Sequence, residues 1–493
     1  MPENKKFFKT DIGKAISSGY FLFFLNNVVA LFLTPYILKY VSKEEYGLYV
    51  LCIDFLSWMM FLEFGSSKVM ESKAAHLLAV NDEAGLVKSF NSALFFQLFI
   101  ALIIIPIFYF LVSTGLNNHK IPNLQPIIII FSFSAALSAI RGNFSAMLIA
   151  SRKIHIDNKI QVFINVLNYA LIILLVPFIG LWGLAAITLL VAILILIRSY
   201  KRVFQMFPYL KINRKSFNKA ELMTILSQGI YFSIASIATM LITKFDSFFL
   251  GKTFGLETVA KFYISIKLFS IAEKLFSTLI NNIRPYISNF YGRKNITNIY
   301  KFYNLSVPVL LALSFIIFSV LIIIDEIFIK LWVGNSFFIG KTFITLFALY
   351  SILNLLALPA RIVLTSTFYN LRLHSILRVV EGVLRLSIIL LFIKNANIII
   401  LPLSSIISSF LLGFIGLHII LISFFKLHNI KPDNKYCFIL IGIIFTLIAE
   451  NWLFQLQYTP WLLLTFGCIA CIYLYTIKRK ELTAFIHLLK ADS

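Results

Sequence analysis

The chain has 493 residues, 60% of them hydrophobic and only 13% charged, whereas soluble domains carry about a quarter charged residues. That balance excludes a water-soluble fold, and the length holds on the order of fourteen spans of about 20 residues with short links between them. The net charge of +23 does not imply nucleic acid, because the basic residues lie between apolar runs instead of clustering on one folded face.

In chain order, the polar and basic stretch Met1 to Lys14 precedes an apolar run from Ile16 to Val41. That run is too long for a signal-peptide core and no small-residue cleavage site follows, so it reads as a retained first span. Further spans are predicted near 46–69, 89–112, 125–150, 160–178, 181–198, 222–250, 258–283, 302–324, 342–366, 374–393, 396–424, 436–455 and 460–477. Spans five and six are separated only by Pro177 to Gly180, which predicts a tight turn. Cys468 and Cys471 sit within the apolar run Phe466 to Tyr475 and read as small hydrophobes, so neither a metal nor any other cofactor is implied.

Alternate loops carry Lys68, Lys73 and Lys88; then Arg152, Lys153 and Lys159; then seven bases between Arg198 and Lys219. With the tails and later loops, roughly 29 basic residues fall on one side against about 7 on the other, which predicts cytoplasmic N- and C-termini in a bacterial inner membrane. The hydrophilic stretch 198–219 divides the first six spans from the next six. The predicted organisation is therefore an N-terminal lobe (1–200), a basic cytoplasmic linker (201–221), a second six-helix lobe (222–425), and two added helices with a tail (426–493). A weak repeat supports it: Leu226-Ser-Gln-Gly229 opens span seven as Ile16-Ser-Ser-Gly19 opens span one, and Phe262-Tyr263 follows as Leu48-Tyr49 does. Repeats of this kind place a substrate site between the halves.

Charge inside a span is costly and usually faces a cavity or a partner. The bases so placed are Arg141, Lys244, Lys261, Lys267, Lys274, Arg361, Arg378 and Arg385; the acids are Asp54, Glu63, Asp246, Glu273, Glu381 and Glu450. Arg378, Glu381 and Arg385, at steps of three and four, share one helical stripe with a net positive charge. Ser134, Ser138, Arg141 and Ser145 form a second polar stripe, and Lys267 and Lys274, seven apart, share a face of span eight. The substrate-binding set is thus Arg141, Arg378, Arg385, Lys267, Lys274 and Arg361, which could line a cationic passage for a phosphate, since Arg holds phosphate oxygens bidentately. The other reading of these stripes is structural: a self-neutralising cluster in span eleven, and an Arg141 that snorkels to the interface.

The ion-coupling set is Asp54, Glu63, Asp246 and Glu381, with a structural alternative for three of them: end capping or lobe packing for Asp54 and Glu63, and a structural role near the periplasmic end of span seven for Asp246. Asp54 and Glu63, nine apart on one predicted helix, point to opposite sides. Asp246 falls in a stripe with Ser236, Thr239 and Thr243. Asn26 and Asn27 are the ordinary polar glue between membrane helices. Gly251-Lys-Thr253 and Gly340-Lys-Thr342 lack the upstream glycine of a P-loop.

Leu33-Thr-Pro-Tyr-Ile-Leu-Lys-Tyr40, then Glu44-Glu-Tyr-Gly-Leu-Tyr49 and Phe61-Leu-Glu-Phe-Gly65, resemble the opening of the polysaccharide-exporting branch of the MOP (MATE-like) superfamily. Wzx-type O-antigen flippases are the best match within it. Further echoes are Phe245-Asp246 with Leu250-Gly251, Lys330-Leu-Trp-Val-Gly334, and the charged run Arg372 to Arg385. The resemblance implies an all-α integral membrane fold of about fourteen transmembrane helices, two pseudo-symmetric six-helix lobes around a central cavity plus two C-terminal helices. It also implies alternating access, and an undecaprenyl-diphosphate-linked oligosaccharide as cargo. One departure stands at position 63, where glutamate replaces the usual aspartate.

The expected function is therefore a non-enzymatic flippase for an O-antigen or related repeat unit, coupled to H+ or Na+ and working beside polymerase or chain-length partners. A peptidoglycan-precursor flippase is the second reading. A MATE-type drug or cation antiporter needs a more acidic lumen, and an O-antigen polymerase or ligase needs a large outer loop that this sequence lacks.

Overall fold

The computed structural model describes residues 18–19, 21–59, 61–115, 124–151, 153–243, 245–281, 283, 287, 290–291, 293–367, 369–392, 397–430 and 459–477. Every regular element among these is helical. In chain order they are α1 (Phe21–Ile37), α2 (Lys43–Met59), α3 (Ser66–Ala79), α4 (Glu83–Gly115), α5 (Leu124–Ala150) and α6 (Ile154–Met206). They continue with α7 (Lys219–Thr243), α8 (Asp246–Phe254), α9 (Leu256–Ser265), α10 (Lys267–Asn281), α11 (Ile296–Trp332) and α12 (Lys341–Leu356). The last are α13 (Leu358–Ser366), α14 (Leu371–Phe392), α15 (Ile400–Leu427) and α16 (Thr459–Ile477).

Six helical stretches among the described residues are long and apolar enough to cross a membrane: Glu83–Thr114, Leu124–Ala150, His155–Met206, Ile296–Trp332, Lys341–Ser366 and Ile400–Leu427. The surface agrees with a lipid solvent. Phe32, Phe178 and Leu331 are 76%, 84% and 83% exposed, an apolar display that would drive aggregation in water. The predicted thirteenth span, 436–455, with Glu450, lies outside the described residues, as does Lys244.

Local sequence explains where the helices start and stop. Ser42 and Glu45 form a reciprocal capping box at α2: the Ser42 amide donates to Glu45 Oε2 (2.8 Å) and the Glu45 amide to Ser42 Oγ (3.2 Å). The turn predicted between spans five and six is present, because Gly180 leaves the helical region (φ 51°, ψ −130°) inside the long stretch α6.

Several spans expected to be continuous are broken. Span two ends at Met59 and resumes at Ser66, because Phe64 and Gly65 both take positive φ (47° and 64°). A fixed rotation per residue does not cross such a break, so the expectation that Asp54 and Glu63 face opposite sides of one helix loses its basis. Span seven breaks between Thr243 and Asp246, which puts Asp246 in the first turn of a new helix instead of on a stripe with Ser236, Thr239 and Thr243. Span eight divides at Ile266 and span ten at Ala357, where Pro359 sits in the first turn of α13. Span nine is longer than expected and runs from Ile296 to Trp332.

The helices pack into two compact units. One takes residues up to Met240 together with Lys244–Ala260, and the other takes Leu241–Thr243 together with Lys261 onward. The first unit therefore includes the linker, most of α7, and α8. Its inner core gathers Phe90, Phe144, Val203, Phe207, Leu210 and Ile225, and Trp58 stacks on Phe245 at 4.7 Å. Gly229 of α7 has no room for a side chain, since a Cβ there would lie 2.1 Å from the Phe64 carbonyl oxygen. That contact clamps the break after α2 against α7.

Candidate functional site

The second unit contains a buried cluster of charges. On α14, Arg378, Glu381 and Arg385 are 9%, 1% and 2% exposed, and their three- and four-residue spacing puts them on one face as the sequence predicts. Arg378 Nη1 donates to Glu381 Oε2 at 2.6 Å. The other Glu381 oxygen accepts from Ser409 Oγ at 2.8 Å. Ser409 opens a π-helical segment, Ser409–Gly416, inside α15. Within that segment Gly413 leaves the space that Glu381 fills, because a Cβ there would stand 2.9 Å from Glu381 Oε1.

Arg385 is anchored differently. Its Nε donates to Ser405 Oγ (2.8 Å) and its Nη1 to the Ile242 carbonyl (2.5 Å), one residue from the end of α7. Both of these acceptors are neutral.

Arg361 on α13 belongs to the same cluster. Its Nη2 donates to Asn354 Oδ1 at 3.3 Å, and its buried Nε has no hydrogen-bond partner among the described residues. It lies within electrostatic reach of Arg378, Glu381 and Tyr350. Tyr350 on α12 is also within reach of Glu273, Arg385, Glu381 and Arg378, and His374 is within reach of Arg361 and Arg378. Three guanidinium groups and two carboxylates thus share one neighbourhood, with one positive charge in excess when His374 is neutral. A guanidinium offers five N–H donors in a planar fork. Such a site, with donors left over, is fitted to bind an anionic oxygen cluster.

Lys267 and Lys274 share α10, as expected, with Lys267 half-buried and Lys274 exposed beside Glu273.

In the first unit, Arg141 is neutralised by a carboxylate. Arg141 Nη2 donates to Asp157 Oδ1 at 2.8 Å, and Gln161 Nε2 holds the other oxygen of Asp157 at 2.7 Å. The positive stripe expected on span four is therefore neutralised at the α5–α6 seam. Ser134 and Ser138 of that stripe do not add donors to a passage, because each donates to the carbonyl four residues back on its own helix. Asn26 Oδ1 accepts from Asn165 Nδ2 (2.8 Å) and from the Tyr169 hydroxyl (3.1 Å), the interhelical role the sequence predicts.

Among the coupling residues, Glu63 is 2% exposed. One of its oxygens accepts from Ser67 Oγ (2.5 Å), which in turn accepts from Gln97 Nε2 (2.9 Å), while its Oε1 has no hydrogen-bond partner among the described residues. Gly142 permits this pocket, since a Cβ there would lie 2.3 Å from Ser67 Oγ. Asp54 and Asp246 are buried at 2% and 7%.

Sequence reasoning missed several members of these clusters. Asp157 sits three residues before the predicted start of span five, and Asp325 one residue past the predicted end of span nine. Asp325 is 1% exposed, with neither carboxylate oxygen hydrogen-bonded among the described residues. The pairing of Glu381 with Ser409 and Gly413 had no sequence signal beyond the small residues of span twelve.

No family model matches the chain, and no curated protein does. Solved structures do. The lipid II flippase MurJ in its inward closed conformation aligns with a TM-score of 0.66 at 14% identity, covering 95% of this chain and 99% of that one. An inward-facing multidrug resistance MATE family transporter of the MOP superfamily aligns with a TM-score of 0.64 at 13% identity, over 81% and 93%. The chain has the MATE-like fold of the MOP superfamily. A MOP superfamily transporter from Pyrococcus furiosus, described by the reverse polarity of its binding pocket, aligns with a TM-score of 0.56 at 12% identity over 84% and 94%. The MOP fold agrees with the helical, multi-pass membrane architecture expected from the sequence.

Proposed function

We propose that this chain is a flippase that moves an undecaprenyl-diphosphate-linked oligosaccharide, an O-antigen or related surface-polysaccharide repeat unit, from the cytoplasmic to the periplasmic leaflet of a bacterial inner membrane. The observation that carries the reading is Arg361, whose guanidinium has donors to spare in a buried cluster with excess positive charge. A diphosphate is the part of the cargo that every sugar composition shares, and its oxygens match that fork. Arg378 and Arg385 hold the surrounding potential positive, and Lys267 and Lys274 add point charges on α10.

Alternating access of this site to the two leaflets, fourteen spans with both termini cytoplasmic, and coupling to H+ or Na+ complete the proposal. Glu63, with one buried oxygen unengaged among the described residues, is one carboxylate placed to take the coupling cation. Glu381 is already committed to Arg378 and Ser409 and is better placed to hold Arg378 than to exchange a cation.

A peptidoglycan-precursor flippase is the second reading. It is favoured by the 95% of this chain aligned with the lipid II flippase, against 81% aligned with the MATE transporter. A cationic-drug antiporter fits less well, since a positive cluster repels its cargo.

The test is surface glycan display in the native host with the chromosomal copy replaced by Arg361→Gln. Loss of one charge-assisted contact, about 1.5–3 kcal/mol, lowers transport roughly 10- to 150-fold at unchanged membrane abundance. Normal display with the variant would remove Arg361 from the site. Normal display with accumulating cytoplasmic peptidoglycan precursor on depletion of the wild type would favour the second reading.

A further inference from the structure

The segment that joins α6 to α7 is not a loose tether. Phe207 and Leu210 are buried in the inner core of the first unit. Asn91 of α4, fully buried, donates from Nδ2 to the Lys211 carbonyl (3.0 Å) and accepts at Oδ1 from the Asn213 amide (2.9 Å). Its neighbour Ser92, also fully buried, accepts from the Asn218 amide at 3.0 Å and donates to the Asn218 carbonyl at 3.3 Å. Asn213 and Asn218 in turn cap the short helical turn at 214–216 and the start of α7, accepting from the Lys215 and Glu221 amides. Two adjacent α4 side chains thus hold the backbone of 211–218 as a fixed strap.

What the strap displays is one-sided. Between Arg198 and Lys219 there are seven basic residues and no acid. Lys201, Arg202, Lys211, Arg214, Lys215 and Lys219 are all exposed, and no ion pair engages them among the described residues. The nearby acids are otherwise occupied: Glu221 pairs with Lys73, and Glu71 with Lys68. Glu83 remains, within electrostatic reach of Tyr209. Two large apolar side chains, Ile212 (45% exposed) and Phe217 (38% exposed), bracket the Asn213–Ser216 turn among the bases. Bases interleaved with exposed apolar residues suit the boundary between lipid headgroups and acyl chains.

A cavity of about 430 Å³ opens at the start of the strap. Leu78, Met206 and Phe207 give it apolar walls, and Ser151 and Lys153 give it a hydroxyl and an exposed ammonium. Phe207 belongs to both features.

We propose that the strap 207–218, with the adjoining Lys153–Ser151 cavity, is a binding site for the phosphate headgroup of an anionic phospholipid in the cytoplasmic leaflet. The lysines and arginines gather the headgroup charge, the cavity seats one phosphate against Lys153 and Ser151, and Ile212 and Phe217 enter the upper acyl region. The site is separate from the charge cluster of the second unit and does not depend on the identity of the transported cargo.

The experiment is native mass spectrometry of the purified full chain with phosphatidylglycerol against phosphatidylcholine. The wild type retains phosphatidylglycerol preferentially. Lys211→Gln/Arg214→Gln/Lys215→Gln, which leaves every strap hydrogen bond in place, loses that preference by about fivefold per base removed. Lys153→Gln removes the tightest-held copy, and the charge-preserving Arg214→Lys/Lys215→Arg retains binding. Undiminished preference in the triple glutamine variant would overturn the proposal. So would displacement of the lipid by equimolar inorganic phosphate, which would make the site one for a free anion.

Discussion

Arg141 and Arg361 are both arginines within membrane-spanning stretches, yet the two units treat them in opposite ways. In the first, Arg141 meets Asp157, whose second oxygen is held by Gln161, so the charge is cancelled although Arg141 Nε keeps no hydrogen-bond partner among the described residues. In the second, three guanidinium groups including Arg361 share two carboxylates, and among the described residues the Arg361 side chain hydrogen-bonds only to the amide oxygen of Asn354. Burying an unneutralised charge costs several kcal/mol, which a fold bears where a ligand repays it. The contrast teaches that an unengaged donor is not enough, and that an intramembrane base marks a site when no paired carboxylate cancels its charge.

The largest expected effect comes from opening the closed part of the second cluster. Arg378→Ala leaves Glu381 buried and half-satisfied, which costs about 3–5 kcal/mol. A marked fall in thermal stability in detergent, partly recovered in Arg378→Ala/Glu381→Ala, is the expected pattern. If the double variant is no more stable than the single one, the loss does not come from leaving Glu381 without its counter-charge.

A smaller effect is expected at Gly413. An added methyl would press on both oxygens of Glu381, at 2.9 and 3.2 Å, but the carboxylate can shift, so Gly413→Ala costs about 1–3 kcal/mol. Combining it with Glu381→Ala removes the clash and most of that cost, as thermal melts would show.

The smallest effect is a pH dependence outside the membrane. Burial raises the Glu221 pKa, but hydrogen bonds from Lys73 and Ser89 and the charges of Lys73 and Lys88 outweigh it and leave the pKa below the usual carboxylate value of 4.5. A depressed folded-state value means this contribution is complete above about 4.5 and is lost as the pH falls through the lower folded-state value. Glu221→Gln therefore lowers stability at neutral pH and flattens its loss on acidification. Parallel acid titrations of wild type and variant would reveal unchanged curves if the Lys73–Glu221 contact contributes nothing.

Much of the fold was legible because lipid imposes one rule, that apolar stretches of sufficient length become helices. The Pro177–Gly180 turn and the shared face of Arg378, Glu381 and Arg385 followed from spacing alone. The breaks did not. Phe64 carries a positive φ although no proline is near and only Gly65 beside it hints at a turn, and its carbonyl packs on the distant Gly229, a tertiary contact without local trace. The candidate site was half legible for the same reason. Helical phase gathered the α14 charges, but the acid that silences Arg141 and the Ser409–Gly416 segment that receives Glu381 belong to other helices.

The most direct test of the central claim is the affinity of the purified chain for a prenyl diphosphate in detergent, measured by calorimetry. Arg361→Gln should weaken binding on the order of 10- to 100-fold, while Arg141→Gln/Asp157→Asn, which removes a self-contained pair, should leave it within about threefold. Equal affinity for wild type and Arg361→Gln, or a loss confined to the Arg141–Asp157 variant, would contradict the assignment of the anion site to the second unit.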